Sequence, residues 1–318
     1  MSNYGALQEI DKQGRIDRTR DDLLIGTGVD LAESDRKNEI KPAPIYLGSG
    51  ERSGHFGCFG TTRTGKTRFL MSLVSQDIKA GRNVVVIDPK GDQSLFSSII
   101  QAAAESGRLD DLMLVTPIFP EYSLRIDPLA YYYMPDELVD HVISGIRAKE
   151  EYFINVASEI TTVIVLGTIL MAKVRDKKTR LNFYDIKQKS SREKLEAFMA
   201  AITIYRNDPD PEISRIAEEV CSDIEQIIAS PTDFFAKVSS SLRTTLTALT
   251  SSTTGQIIGK AYTNEFIKRF EEGRGVILVC NTGSLLSRRT AHIIGRVMLS
   301  MVQSTVGRFF ARRRRPPC

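Results

Sequence analysis

The sequence predicts an α/β fold, a mostly parallel sheet alternating with helices and interrupted by a long all-α insertion. Three observations predict it. Short apolar runs rich in β-branched residues (PIYLG, NVVVID, LMLVTP and, far downstream, GVILVC) alternate with stretches of helical spacing. Between Pro135 and about Gly255 strand patterns nearly vanish and helical ones dominate. The chain has 318 residues, 42% hydrophobic and 26% charged, which is enough apolar material for a core and enough length for about two domains. A disordered chain is excluded.

Each element follows from its local pattern. Residues 1–43 are charged and weakly periodic, and read as an N-terminal arm or as small peripheral strands. PIYLGSG and HFGCFG read as two short strands. Leu70, Leu73, Val74 and Ile78 recur at helical spacing, so a helix runs from about Gly65 to Ala80 and Gly81 ends it. NVVVID is a continuous β-branched run of the kind buried in a parallel sheet; SLFSSIIQAAAESG is the next helix and LMLVTP the next strand. Strand, helix, strand, helix, strand means parallel strands with crossovers. After Pro135 come DELVDHVISGIR, EEYFINVASEITTVIVLGTILMAKV, SREKLEAFMAAITIYR, PEISRIAEEVCSDIEQIIAS and DFFAKVSSSLRTTLTALTSS, all helical, with a short strand possible at LNFYDI. GVILVCNTG returns to strand, and a helix spans about Ser287 to Phe310.

Charge, cysteine and hydropathy patterns narrow the function. Lys and Arg number 43 against 39 Asp and Glu, a net charge of +4. The segment from Met301 holds Arg308 and Arg312–Arg315 and no acid; without these five, 38 basic residues face 39 acidic ones. The body is neutral, so overall charge is no argument for nucleic acid. Cys58, Cys221, Cys280 and Cys318 form no CxxC pair, and His55, His141 and His292 are scattered, which argues against a zinc site and a disulfide framework and for a reducing cytosol. The N-terminus, MSNYGALQEIDKQGRIDR, is neither signal peptide nor anchor. ITTVIVLGTILMA is uncharged but only 13 residues long. As a helix it spans about 20 Å, short of the roughly 30 Å of a bilayer core, so it reads as a buried core helix.

One motif carries chemistry. Gly60, Thr61, Thr62, Arg63, Thr64, Gly65, Lys66 and Thr67 satisfy G-x-x-x-x-G-K-[ST], between an expected strand and an expected helix. A triphosphate concentrates negative charge in a small volume. Backbone N–H groups wrap it, glycine permits close approach, and the helix N-terminus adds unpaired donors and positive dipole. Lys66 would bridge β- and γ-phosphate oxygens and the Thr67 hydroxyl would ligate Mg²⁺, so ATP and Mg²⁺ are the expected ligands. Arg63 is not required by the motif; it reads as a solvated side chain or as a phosphate contact, the former favoured. Asp88 ends VVVIDPKGD, 22 positions after Lys66. It is either a magnesium-ligating acid or, the favoured reading, a supporting residue near the phosphates. No other apolar strand ends in Asp-Glu; GVILVCNTG ends in Cys280, Asn281 and Thr282. Asn281 or Thr282 could sense a γ-phosphate, but a polar turn after a buried strand is favoured. A hydrolytic ATPase needs a carboxylate to position water, and no convincing candidate stands here.

GHFGCFGTTRTGKTRFL followed by VVVIDPKGD resembles the TraD/TraG type IV coupling proteins of conjugation, within the FtsK/HerA class of DNA-pumping ATPases. PIFPEYSLRIDPLAYYYMPDELVDHVISGI, EEYFINVASEI and FFAKVSSSLRTTLTALTSS resemble the TraD version from integrating conjugative elements, so the similarity covers about residues 40–310. It implies a RecA-like P-loop NTPase core interrupted by an all-α domain. It also implies a ring, commonly a hexamer, that hydrolyses ATP to drive DNA from the relaxase complex into a type IV secretion channel at the cytoplasmic face of the bacterial inner membrane. Gly60, Gly65, Lys66 and Thr67 carry over as Walker A. The expected division is an arm (1–43), the nucleotide-binding domain (44–134 and 256–311), an all-α insertion (135–255) and a basic tail (312–318). Two departures stand out. Many relatives carry N-terminal transmembrane helices, whereas membrane association here would come through partners or missing segments. The family's Walker B strand would begin where this chain stops, so it looks like an N-proximal portion, either a truncated gene product or a fragment, that binds ATP and hydrolyses it poorly or not at all.

Other features have plainer readings. Tyr131, Tyr132 and Tyr133 could stack on bases, but a core or seam role is favoured. The basic tail could grip phosphates or be an incidental terminus. Ser239–Thr254 could face a DNA channel, but a helical surface with polar packing is favoured. The leading functional expectation is a DNA-translocase subunit. The alternative is a catalytically silent nucleotide-binding scaffold or regulator of the secretion complex. A small-molecule kinase would want a lid and an acceptor site, against which the helical insertion and the IDPKGD strand argue.

Overall fold

The computed structural model describes residues 22–29, 42–48, 50–148 and 150–313. They form two compact units: one holds the residues up to Val84 together with Gln93–Leu112, the other Val85–Asp92 and the chain from Met113 onward. Residues 1–21 and 30–41 of the expected arm, and Arg314 and Arg315 of the tail, lie outside the described residues.

The first unit opens with an antiparallel ribbon, β1 (Leu23–Val29) against β2 (Pro42–Leu47), with Leu23 opposite Leu47. Two helices follow, α1 (Lys66–Lys79) and α2 (Gln93–Glu105), and pack together through Ile78, Ile99, Ala102 and Ala103. Gln76 on α1 serves β1 as a neighbouring strand would. Its Oε1 accepts from the Leu24 N–H at 2.8 Å and its Nε2 donates to the Leu24 carbonyl at 3.0 Å. Asp77 holds the far end of α1, accepting two bonds from Arg52 (2.8 and 2.7 Å) and one from Arg82.

The expected strand at HFGCFG is absent: residues 55–60 run without regular pairing. Glycines at 54, 57 and 60 weaken extended structure, and the run has no β-branched residue to favour it. Phe59 is 95% exposed, and Phe56 meets the ring of Phe69 on α1 at 5.6 Å.

The second unit carries a parallel three-stranded sheet, β3 (Val84–Asp88), β4 (Leu112–Val115) and β5 (Ile277–Asn281), with β5 in the middle. Between β4 and β5 the described regular elements are helical. Besides the short turns Pro120–Tyr122, Ser252–Thr254 and Gly255–Gly259, they are α3 (Pro135–Ser144), α4 (Glu151–Val174), α5 (Phe183–Lys189), α6 (Arg192–Thr203), α7 (Pro211–Ala229), α8 (Thr232–Val238), α9 (Ser240–Thr250) and α10 (Glu265–Glu271). The last helix, α11 (Arg288–Arg313), follows β5. By length and composition α4 could cross a membrane. Here Ile160, Val163, Ile164, Val165 and Leu170 are buried, and α4 packs against α3 and α7.

The strand considered at LNFYDI is helix α5. Asn182 caps it, accepting from the Asp185 N–H at 2.9 Å, while Asp185 accepts from the Asn182 N–H at 3.1 Å. This reciprocal capping box is a local preference that outweighs the weak apolar alternation.

A half-buried polar clasp joins α3 to α11. Glu137 accepts from the Tyr133 and Met134 N–H groups (2.8 and 3.0 Å), from Ser304, and pairs with Arg308 at 3.4 Å. Burial alone would raise the Glu137 carboxyl; the Ser304 and backbone hydrogen bonds and the Arg308 charge outweigh it and hold it below its ordinary value. Arg308, grouped with the tail by its charge in the sequence, is 8% exposed and donates to the Tyr131 carbonyl at 2.8 Å. It is a core residue, not a surface cation. His141, one turn along α3, meets the Ser300 hydroxyl at 2.8 Å through Nδ1. Burial, with Arg308 adding to it against the pull of Glu137, pushes its pKa down from 6.5 to about 4.

A histidine whose folded-state pKa is depressed stabilises the fold fully above its unfolded value and loses that contribution as pH falls. Stability should therefore drop between pH 6.5 and about 4, by up to about 3 kcal/mol from this group. Denaturant titrations of wild type and His141→Gln should diverge in slope against pH across that window, the variant being flatter.

Candidate functional site

The loop between residue 60 and α1 is built from backbone. Helix α1 begins after Gly65, whose φ of +88° suits glycine, and its N-terminus has no side-chain cap. The Gly65 carbonyl takes the first helical bond, from the Phe69 N–H at 3.0 Å. The first-turn donors ahead of it are thus left to an outside acceptor. At the loop's other end a Cβ on Gly60 would stand 2.6 Å from Thr64 Oγ1, so only glycine lets the loop fold this closely. Thr64 donates its hydroxyl to the Thr61 carbonyl at 2.9 Å, and Lys66 Nζ donates to the Gly60 carbonyl at 2.7 Å and to that of Thr61. Two side chains take up the loop's carbonyls while the helix end presents its N–H groups. Thr61, Thr62, Arg63, Thr64 and Thr67 are exposed, and Lys66 is half-buried. Uncapped N–H groups, a positive helix dipole, an ammonium and a hydroxyl at the helix start are the donor set that a polyphosphate with a hydrated divalent cation requires.

Asp88 ends β3 in the second unit and shapes its own loop. Oδ1 accepts from the Lys90 N–H at 2.9 Å and Oδ2 from the Asp92 N–H at 2.5 Å. The neighbouring turn is zipped to it: the Thr282 N–H donates to the Asp88 carbonyl at 3.3 Å and the Ser284 N–H to the Pro89 carbonyl at 2.6 Å. Gly91, at φ +74°, lies under Asn281; an added Cβ would come 2.6 Å from Asn281 Oδ1. Asn281 Oδ1 and Thr282 Oγ1 are buried and, among the described residues, have no hydrogen-bond partner. Sequence reasoning named Asp88, Asn281 and Thr282 separately and missed that two turns at the sheet's C-terminal edge form one clamp; the glycine in DPKGD was the available signal.

The other candidates sort by burial. Tyr131 lies under the Lys178 ammonium at 4.8 Å, the Tyr132 hydroxyl donates to Thr179 Oγ1 at 3.1 Å, and Tyr133 is exposed. In the Ser/Thr stretch, Ser239, Thr245, Thr250 and Thr254 are buried.

The parallel three-stranded sheet and the alternation of strands with helices define an α/β protein, and the loop that opens α1 is glycine-flanked and carries a lysine. Comparison with known proteins points further. Over 91 residues, 29% of this chain, it is 31% identical to the type 4 coupling protein DotL of Legionella pneumophila subsp. pneumophila (strain Philadelphia 1). That stretch is 11% of DotL, so the chain matches about a tenth of its curated relative's length. Among solved structures it is similar to the bacterial conjugative coupling protein TrwBdeltaN70, unbound monoclinic form, with a TM-score of 0.47 and 13% identity over 78% of this chain and 50% of that one. No protein-family model matches the chain.

The clamp makes a prediction within the second unit. Gly91→Ala should cost about 2–3 kcal/mol, from the left-handed backbone and the collision with Asn281 together. In an Asn281→Ala background the collision is gone and the penalty should fall to about 1 kcal/mol. Chemical denaturation of the four proteins of this cycle measures the difference.

Proposed function

We propose that this chain binds ATP with Mg²⁺ in the loop Gly60–Thr67 and is the nucleotide-binding part of a type IV coupling protein that moves DNA into a conjugative secretion channel. The observation that carries the reading is the uncapped start of α1, with Lys66 and Thr67 at its first two positions and Gly65 at positive φ. Thr61 to Thr67 would meet phosphate oxygens through backbone N–H groups, Lys66 would leave the loop carbonyls for the β- and γ-phosphates, and the Thr67 hydroxyl would face Mg²⁺. The metal supplies charge neutralisation between the terminal phosphates when bound. Asp88 is proposed in a supporting role, because both carboxylate oxygens already hold its own loop. The similarity to DotL supports the coupling-protein reading. DNA, a relaxase complex, a secretion channel, a homo-hexameric ring and a place at the cytoplasmic face of the inner membrane follow from the same reading and stand as proposals with it.

One observation favours a second reading, a silent nucleotide-binding scaffold or regulator of the secretion complex. β4 and β5 end in Val115 and Asn281, not in carboxylates. Steady-state ATP turnover with and without DNA separates the two: DNA-stimulated turnover identifies a motor, and nucleotide binding without turnover a scaffold.

Lys66→Ala should weaken a fluorescent ATP analogue, titrated with magnesium, by at least about tenfold while leaving the thermal midpoint in place. Equal affinity in the two proteins contradicts the proposed site.

A further inference from the structure

Three non-glycine residues among those described have a left-handed backbone: Arg63 (φ +67°), Asp176 (φ +48°) and Ser252 (φ +51°). Left-handed geometry is unfavourable for a residue with a Cβ, least so for small polar side chains that bond locally. Two of the three serve the fold. Asp176 closes α4, where the next N–H, of Lys177, donates to the Ala172 carbonyl at 2.9 Å. Ser252 opens the helical turn Ser252–Thr254.

Arg63 is different. It is a long side chain at the tip of the loop, exposed, and among the described residues it forms no hydrogen bond, ion pair or ring contact. Asp176 and Ser252 are likewise exposed with no side-chain hydrogen bond among the described residues, so what sets Arg63 apart is a long cationic side chain held at the tip of the glycine-flanked loop. The loop's other cation, Lys66, is drawn inward onto the Gly60 and Thr61 carbonyls. Arg63 is the cation left on the rim.

From this we infer that Arg63 is a specificity-determining residue that grips the outermost phosphate of the bound nucleotide and sets the preference for a triphosphate over a diphosphate. The inference rests on the nucleotide-binding reading of the loop. A guanidinium presents a planar fork of N–H donors that matches phosphate oxygens two at a time, which an ammonium does not. A diphosphate held by the loop N–H groups and Lys66 lacks the group that Arg63 reads, so the loss of Arg63 falls on ATP and spares ADP.

The test is a titration of ATP and ADP, each with Mg²⁺, against wild type, Arg63→Gly, Arg63→Lys, Arg68→Ala and Lys66→Ala, with the thermal midpoint recorded for each. Glycine accepts the left-handed backbone, so Arg63→Gly keeps the fold; its midpoint is expected at or above that of wild type. Its ATP affinity is expected to fall by about tenfold or more and its ADP affinity by less than about threefold. Arg63→Lys recovers part of the ATP preference. Arg68→Ala removes an equal charge from the first turn of α1 and should leave the ATP-to-ADP ratio unchanged. An unchanged ratio in Arg63→Gly, or an equal loss for both nucleotides, overturns the inference, and a lowered midpoint assigns Arg63 to the fold instead. If ATP and ADP still bind wild type and fail on Lys66→Ala, the nucleotide site stands whatever Arg63 does. If neither binds wild type, both readings fall together.

Discussion

The structure depends on one constraint: the first turn of α1 carries backbone donors that the protein leaves uncapped. Helices α4, α6, α8 and α9 likewise start without a side-chain cap, but no other described helix combines that with a glycine at positive φ before it and a lysine at its first position. Asn182, Asp210 and Asn264 cap α5, α7 and α10 with their own side chains. At α1 the preceding residue is a glycine that cannot cap, and the loop's polar side chains, Thr64 and Lys66, turn to the carbonyls of Gly60 and Thr61. Everything around the helix start thus neutralises acceptors and leaves donors, which is the electrostatic inverse of an ordinary helix cap and the form an anion needs.

Rigid backing makes that arrangement usable. The far end of α1 is held by Arg52 and Arg82 on Asp77, its flank by Gln76 on β1, and its buried face by α2. The second unit has ties of its own: the polar turns at the ends of β3 and β5 are zipped by backbone hydrogen bonds, and α3 is clasped to α11 by a half-buried Glu137–Arg308 pair with further hydrogen bonds. Such a pair is worth little as net stability once desolvation is counted, but removing one partner strands the other, so it favours one packing of the two helices.

Much of this was legible in the sequence because it follows from local rules. The α/β order, the helical stretch after Pro135 and the start of α1 came from periodicity and from glycine at 65. Two strand expectations failed for physical reasons that were also local. HFGCFG has aromatic residues but no β-branched ones and too much glycine, and LNFYDI contains a capping box that seeds α5. What the sequence could not show are contacts between distant residues: Asn281 over Gly91, Arg308 inside the core, Gln76 bonded to β1. Each is a pairing of side chain and backbone far apart in the chain, and no periodicity encodes it.

The central claim, that the backbone donors of the loop and of the first turn of α1 receive a nucleotide's phosphates, is tested most directly by residue-resolved amide hydrogen exchange with and without ATP and magnesium. The amides from Thr61 to Thr67 should become protected on addition, more strongly than any other stretch of the first unit. Exchange that stays unchanged there, whatever happens elsewhere in the chain, contradicts it.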